Sequence, residues 1–404
     1  MSAAVWLGLA DDDPFGVENL PYCAFGQDRF RWTGVRIGDR ILNLAAAEGR
    51  GLIEAGGAFL GQPTLSRFMA AGRPVWTRVR ERLTELLSAA RYRESVEPLL
   101  VPVADVRLAL PFEVADYVDF YSSLEHATNL GKLFRPDGEP LLPNWRHLPV
   151  GYHGRAGTVV VSGTEVPRPC GQRRAGDFGP SARLDIEAEV GFVVGVPSQG
   201  AVAVDDFREH VFGAVLVNDW SARDLQAWEY QPLGPFLGKS FRTSISPWVV
   251  PLDALDAARV PGPPQEPGVL PYLAAGEHYG YDIGLEVSWN GTLVSRPPFG
   301  GMYWTPAQQL AHMTVNGAWT RTGDLYASGT VSGPQIEQTG SFIERTWNGA
   351  RPVLLDDGTT RSFLLDGDTV AISATAPGPG GSRIGFGEVI GTIGCESAGD
   401  RRSP

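Results

Sequence analysis

Short apolar runs, β-branched or alternating, recur from one end of this chain to the other, with glycine and proline standing between them. The 50 glycines and 32 prolines among 404 residues keep no fixed period, so they read as turns between strands rather than as a repeat or a low-complexity tract. A mainly β, α+β architecture is predicted, not a helix bundle. Strands are expected at 158–161, 186–194, 211–217, 284–289, 363–365 and 369–372, and the unbroken apolar run at 211–217 reads as a buried one. The proline- and glycine-rich stretch 249–281 is expected to be a long surface loop.

At this length the chain divides into two parts, and the boundary is placed near residue 110, giving 1–110 and 111–404. In the first part Arg36 to Leu44 has the pattern of a hairpin around Gly38-Asp39. Leu65, Phe68, Met69, Val75, Trp76, Val79, Leu83, Leu86 and Leu87 then fall near helical spacing on either side of Pro74, predicting two short helices. The prolines and valines of 94–111 suggest an extended connector.

A formal charge of -12 and a pI near 5.0 repel phosphate backbones, which argues against nucleic acid as a partner. No apolar run reaches the roughly 18 residues of a membrane span. The segment from Met1 to the Asp11–Asp13 triple lacks a basic leader, predicting no signal peptide. Cys23, Cys170 and Cys395 are too few and too scattered for a disulfide framework or a zinc pattern, and read as buried thiols of a reducing, cytoplasmic compartment.

Glu187 and Glu189 lie two residues apart, so in a strand both carboxylates share one face while Ile186, Ala188 and Val190 share the other. A solvated outer face would account for that pair alone. Asp219 closes the buried run 211–217, however, and Asp119 stands among aromatics in Tyr117-Val118-Asp119-Phe120-Tyr121. Were the four to converge, each pair about 4 Å apart would repel by about 4 kcal/mol at an effective dielectric near 20, and a bound cation would relieve it. All-oxygen ligation suits Mg²⁺ or Ca²⁺ rather than zinc, with Mn²⁺ also admitted.

Ser122 and Glu125 fit a capping box that would start a helix and set His126 in its first turn, where it could act as a base or be purely structural. His147 and His153 lie in a glycine- and proline-containing segment that suits a pocket wall or a plain turn. Arg223, Gln226 and Tyr230 fall on one helix face, either solvated or, with Lys239 nearby, able to hold an oxyanion. Gly238-Lys239-Ser240 lacks the upstream glycine of a phosphate loop, since position 233 is Leu233.

The stretches 116–129, 142–155, 219–239 and 327–333, with Glu18-Asn19-Leu20-Pro21-Tyr22 and Phe363-Leu364-Leu365-Asp366-Gly367-Asp368 at the two ends, resemble the signature segments of the fumarylacetoacetase family over nearly the whole chain. The resemblance implies an N-terminal SH3-like barrel, a C-terminal mixed β-roll and a homodimer. It implies a hydrolase that cleaves the carbon–carbon bond of a β-diketo acid, 4-fumarylacetoacetate, in tyrosine and phenylalanine breakdown. Position by position, Asp119, Glu187, Glu189 and Asp219 match divalent-ion ligands, and Lys239 and Thr243 match a second, smaller cation site near Asp219. His126 matches the water-activating base and Glu344 its orienting carboxylate. Tyr121, Arg135, Gln226, Tyr230 and Thr330 match substrate-binding positions, with Tyr152 in a matching pocket segment. Arg223, Gln226 and Lys239 match groups that stabilise developing negative charge.

Two alternatives stand beside this expectation. Acylpyruvate hydrolases, decarboxylases and hydratases share the fold and the acids, so fold alone does not separate them. A β-rich binding module could use the acids as a calcium site, but it would not need a His126 and Glu344 pair.

Overall fold

The Gly38-Asp39 turn does close a hairpin: Phe30–Ile37 and Arg40–Asn43 pair antiparallel, with Arg36 opposite Ile41. This computed structural model describes residues 4–10, 12–27 and 30–394, so Asp11 and Cys395 lie outside the described residues. The hairpin belongs to a five-stranded sheet ordered Leu100–Pro102, Arg40–Asn43, Phe30–Ile37, Tyr22–Gln27, Arg107–Ala109. Its two edge strands come from the segment expected to be a plain connector. Proline is tolerated at a sheet edge, where its missing N–H breaks no ladder, so Pro102 did not exclude a strand there.

The two helices are Ser66–Met69 and Arg73–Ser88. Pro74 opens the second, where a missing N–H costs no hydrogen bond. That helix is longer than expected and buries Trp76, Val79, Leu83, Leu86 and Leu87.

The remainder is built on a larger mixed sheet ordered Gly151–His153, Asp116–Phe120, Asp324–Ala327, Ala188–Val194, Val211–Asp219, Thr243–Ile245, Val159–Val161, with Val250–Pro251 also paired to Val211–Asp219. Pairings Asp324–Ala327 with Asp116–Phe120 and Thr243–Ile245 with Val159–Val161 are parallel. Both faces of this sheet are covered. On one, Val190, Phe192, Ala214 and Leu216 pack with Leu285, Val287, Ile372 and Phe386 of a four-stranded antiparallel sheet. On the other, Val193, Val215, Val217 and Leu325 share a core with Leu42, Val79 and Leu83 of the N-terminal part. Double coverage is the reason 211–217 is apolar at successive positions instead of alternating.

Several expected boundaries change. The 186–194 strand pairs only from Ala188, because Leu184–Asp185 turns away to pair with Ser221–Ala222. Residues 363–365 form no strand; Leu364 makes a single bridge to Leu184. The stretch 249–281 is not one long surface loop. Its apolar start forms the 3₁₀ segment Leu252–Ala258, with Leu252, Ala254, Leu255 and Ala258 buried, and Arg259–Pro261 pairs with Tyr279–Tyr281. Cys23 is buried as expected, but Cys170 is exposed, because it opens a two-stranded ribbon with Asp177–Pro180 on the surface. Among the described residues no helix is long and apolar enough to cross a membrane.

Candidate active site

The period-two rows that build the second core also place the acids. Tyr117, Val193, Val215, Val217 and Ile245 point into that core, and Asp119, Glu189, Glu187, Asp219 and Thr243 continue the same rows beyond its end. The four acids are all buried, and one oxygen from each lies within 4.8 Å of the others. A solvated outer face is therefore excluded for Glu187 and Glu189.

The four differ in how their charge is met. Lys239 Nζ donates to Glu187 Oε2 and, at 2.7 Å, to Asp219 Oδ2, while Arg223 Nη1 lies 2.7 Å from Glu187 Oε1. Burial pushes the Glu187 carboxyl up, but Lys239 and Arg223 outweigh it and hold Glu187 below the usual range. Asp219 also accepts from Tyr152 Oη at 2.9 Å and Thr243 Oγ1 at 3.1 Å, yet burial keeps its carboxyl raised. Lys239 thus brings its ammonium, itself a cation, against Asp219.

Glu189 and Asp119 lack that compensation. Both Glu189 oxygens and Asp119 Oδ1 are buried with no hydrogen-bond partner. Burial, and then the neighbouring acids, pushes both carboxyls well above their ordinary range. Buried oxygens left bare are expensive unless something occupies them, and an all-oxygen donor set suits a hard divalent cation. The residues present fit such an ion.

His126 reaches the same place from the helix Leu124–Phe134. Its cap is not the expected Ser122–Glu125 box. Ser123 accepts from the His126 N–H at 3.2 Å, because Ser122 Oγ instead accepts from Gln309 Nε2 at 2.7 Å. His126 Nδ1 lies 2.6 Å from Glu344 Oε2. Glu344 also accepts from Asn129 at 3.0 Å, Ser332 at 3.0 Å and Ser341 at 2.6 Å. Burial pushes the Glu344 carboxyl up, but His126 and these donors prevail and hold it below the usual range. An ionised carboxylate only accepts, so Nδ1 donates to Glu344, and Nε2 is turned toward the acid cluster, 3.7 Å from Glu187 Oε1.

A cavity of about 360 Å³ opens onto this group. His126, Asp119, Glu187, Tyr121, Arg135, Tyr152, Gln226, Tyr230, Lys239 and Thr330 line it, with Leu130, Phe134, Leu141 and Trp145 supplying apolar wall. Glu189, Asp219, Thr243, Arg223 and Glu344 are not part of the lining and stand behind it. The row 223, 226, 230 is no solvated face. Arg223 is buried and donates to Gln226 Oε1 at 3.1 Å, which leaves the Gln226 NH₂ free to donate to a ligand. The 144–152 segment does form pocket wall, but His147 and His153 are not part of this lining.

Sequence reasoning missed Asn129, Ser332, Ser341 and Asp185. Asp185 carried a signal, for it precedes Glu187 by two residues and extends the same row of acids. Asn129, one helical turn after His126, carried a weaker one.

Thr330 reaches the cavity through a sharp turn at Gly329, whose φ is +77° and where an added Cβ would lie 2.2 Å from the Phe120 carbonyl oxygen. Gly329→Ala is expected to destabilise the protein by about 1–3 kcal/mol, read as a lower Tm. An unchanged Tm would show that the turn tolerates a side chain.

The profile described as "Fumarylacetoacetate (FAA) hydrolase C-terminal" matches residues 116–394, and "Fumarylacetoacetase N-terminal" matches 18–111. Fumarylacetoacetase of Homo sapiens is 46% identical over 413 residues, covering 96% of this chain and 98% of its own. That of Bos taurus is 47% identical over 409 residues, covering 95% and 97%. A solved fumarylacetoacetate hydrolase from Exiguobacterium antarcticum, 17% identical, superposes with a TM-score of 0.55 over 93% of this chain and 99% of its own, which supports the fold: an N-terminal barrel-like part and a C-terminal β-roll. Matched along nearly its whole length by both profiles and by these relatives, the chain belongs to the fumarylacetoacetase family.

Proposed function

We propose that this enzyme hydrolyses 4-fumarylacetoacetate to fumarate and acetoacetate, the last step of tyrosine and phenylalanine breakdown. The observation that carries this reading is the His126–Glu344 pair facing the acid cluster across one cavity, which a binding site would not need. The extent of the identity to the named relatives supports the substrate.

Asp119, Glu187, Glu189 and Asp219 would hold a divalent cation, Mg²⁺, Ca²⁺ or Mn²⁺, which when bound would supply Lewis-acid polarisation of the β-diketone. The protein's own groups do the rest. His126 Nε2 takes a proton from water, whose oxygen bonds to the fumaryl carbonyl carbon, and ionised Glu344 steadies the imidazolium that forms. Lys239 and the Gln226 amide, which Arg223 orients, receive the charge that develops on oxygen. Collapse restores the carbonyl and breaks the carbon–carbon bond. The electron pair stays with the acetoacetate fragment, whose carbon takes the proton.

Tyr121, Arg135, Tyr152, Tyr230 and Thr330 hold the substrate, and the cations Arg135 and Lys239 offset the repulsion between a dianion and a protein of charge -12. A second, smaller cation near Asp219 would be held at Thr243 and Lys239 through oxygen atoms, since the Lys239 ammonium, already bound to Glu187 and Asp219, has no lone pair to offer. Family membership supports a cytoplasmic homodimer.

Loss of diketone absorbance by the purified protein tests the reaction. Turnover is expected to fall by about 100-fold or more in excess chelator and to return with Mg²⁺ or Ca²⁺, yielding fumarate and acetoacetate. No turnover with metal restored would redirect the search to other acyl substrates, acylpyruvates first.

A further inference from the structure

The buried carboxylate of Asp185 touches neither the cavity nor the acid cluster, yet both oxygens are filled. Oδ1 accepts from the backbone N–H groups of Ile186 at 2.8 Å and Phe342 at 2.7 Å. Oδ2 accepts from Ile343 N–H at 3.0 Å and Arg223 Nε at 2.8 Å. Phe342 and Ile343 begin the helix Phe342–Arg345, which carries Glu344. The first N–H groups of a helix need an outside acceptor, and the preceding side chain usually supplies it. Here that residue is Ser341, and its hydroxyl donates to Glu344 at 2.6 Å and caps nothing. The cap comes instead from a carboxylate 157 residues away.

We propose that Asp185 is a positioning residue that sets His126 and Arg223 relative to each other, by holding the Glu344 helix with one edge and the Arg223 guanidinium with the other. The contacts close into a ring. Glu344 meets His126 at 2.6 Å, His126 Nε2 stands 3.7 Å from Glu187, and Glu187 meets Arg223 at 2.7 Å. Arg223 returns to Asp185, and Asp185 to the helix of Glu344. Arg223 has a counter-charge in Glu187 without Asp185, so neutralisation alone does not explain the second acid. What Asp185 adds is a rigid tie between the element that orients the base and the side chain that orients Gln226.

The role in turnover rests on the hydrolytic reading above; the contacts themselves do not. Asp185→Asn keeps the shape but turns a donor toward Arg223 or toward a helix N–H. In the full-length, metal-loaded protein its kcat is expected to fall about 100-fold, the scale of a displacement near 1 Å, with KM and metal content close to wild type. On a Glu344→Gln background the same change should cost less than about ten-fold, because the arm through Glu344 is already lost and only the arm through Arg223 remains. Amide hydrogen exchange across 341–346 should speed up by about ten-fold or more while the 188–194 strand keeps its protection.

A kcat within about three-fold of wild type would overturn the proposal, as would a full loss repeated on the Glu344→Gln background. Unchanged exchange across 341–346 would overturn it whatever the substrate proves to be. A wild-type protein inert toward fumarylacetoacetate would instead refute the substrate assignment and leave the exchange result to decide the tie. If Asp185→Asn does not fold, Asp185→Glu, with the charge moved by one methylene, is held to the same three outcomes.

Discussion

His126→Ala is expected to lower kcat by about 10²- to 10⁴-fold, the range of a positioned general base, while the protein still folds and binds its divalent ion. The surroundings of Glu344 explain why the two outcomes separate. Without the imidazole, Glu344 still accepts from Asn129, Ser332 and Ser341, so no buried carboxylate is left bare. The stability cost should then stay near that of one charged hydrogen bond, about 1.5–3 kcal/mol. Metal content is measured by atomic emission and kcat from the loss of diketone absorbance. A near-normal rate would remove His126 as the base. Loss of metal together with the rate would mean that the imidazole helps to shape the acid cluster.

Glu189→Gln is expected to weaken divalent-ion binding by about 100-fold or more, beyond what loss of a mere supporting partner costs a metal site. The metal-free protein should melt no lower than wild type, which separates ligand from scaffold more cleanly than a change at Glu187 would. No lysine or arginine is hydrogen-bonded to the two buried Glu189 oxygens, so exchanging one for an amide strands no buried cation. Glu187 is a poor choice for the same test. Its removal would strand Lys239 and Arg223, and breaking a buried pair costs about 3–5 kcal/mol, so lost metal could not be told from lost structure. Titration calorimetry with Mg²⁺, Ca²⁺ and Mn²⁺, alongside thermal unfolding in chelator, reads both quantities. Wild-type affinity would take Glu189 out of the ligand set.

The features legible in the sequence were those written in local period. Glu187 and Glu189 share a face because strands alternate, and 211–217 reads as buried because alternation is missing there. The helical spacing around Pro74 survives in the fold for the same reason. Contacts between distant segments leave no such trace. His126 and Glu344 are 218 residues apart, and only family resemblance joined them before the structure did. The choice of Ser123 over Ser122 as helix cap turned on Gln309, far along the chain. The 94–111 stretch, read as an extended connector, supplies both edge strands of its sheet, and Pro102 is tolerated in one of them because an edge position needs no ladder N–H.

The larger sheet has the N-terminal helix and hairpin packed on the face from which the four acids emerge. A fragment beginning after residue 111 would therefore turn Val193, Val215, Val217 and Leu325 toward water, on the very strands that aim Glu189 and Asp219 or lie beside them. The seam between the two sequence profiles is a junction in the chain but not a line of mechanical weakness. Heat or denaturant that loosens the first hundred residues should slacken the acid cluster in the same step, so the two parts stand or fall as one cooperative unit.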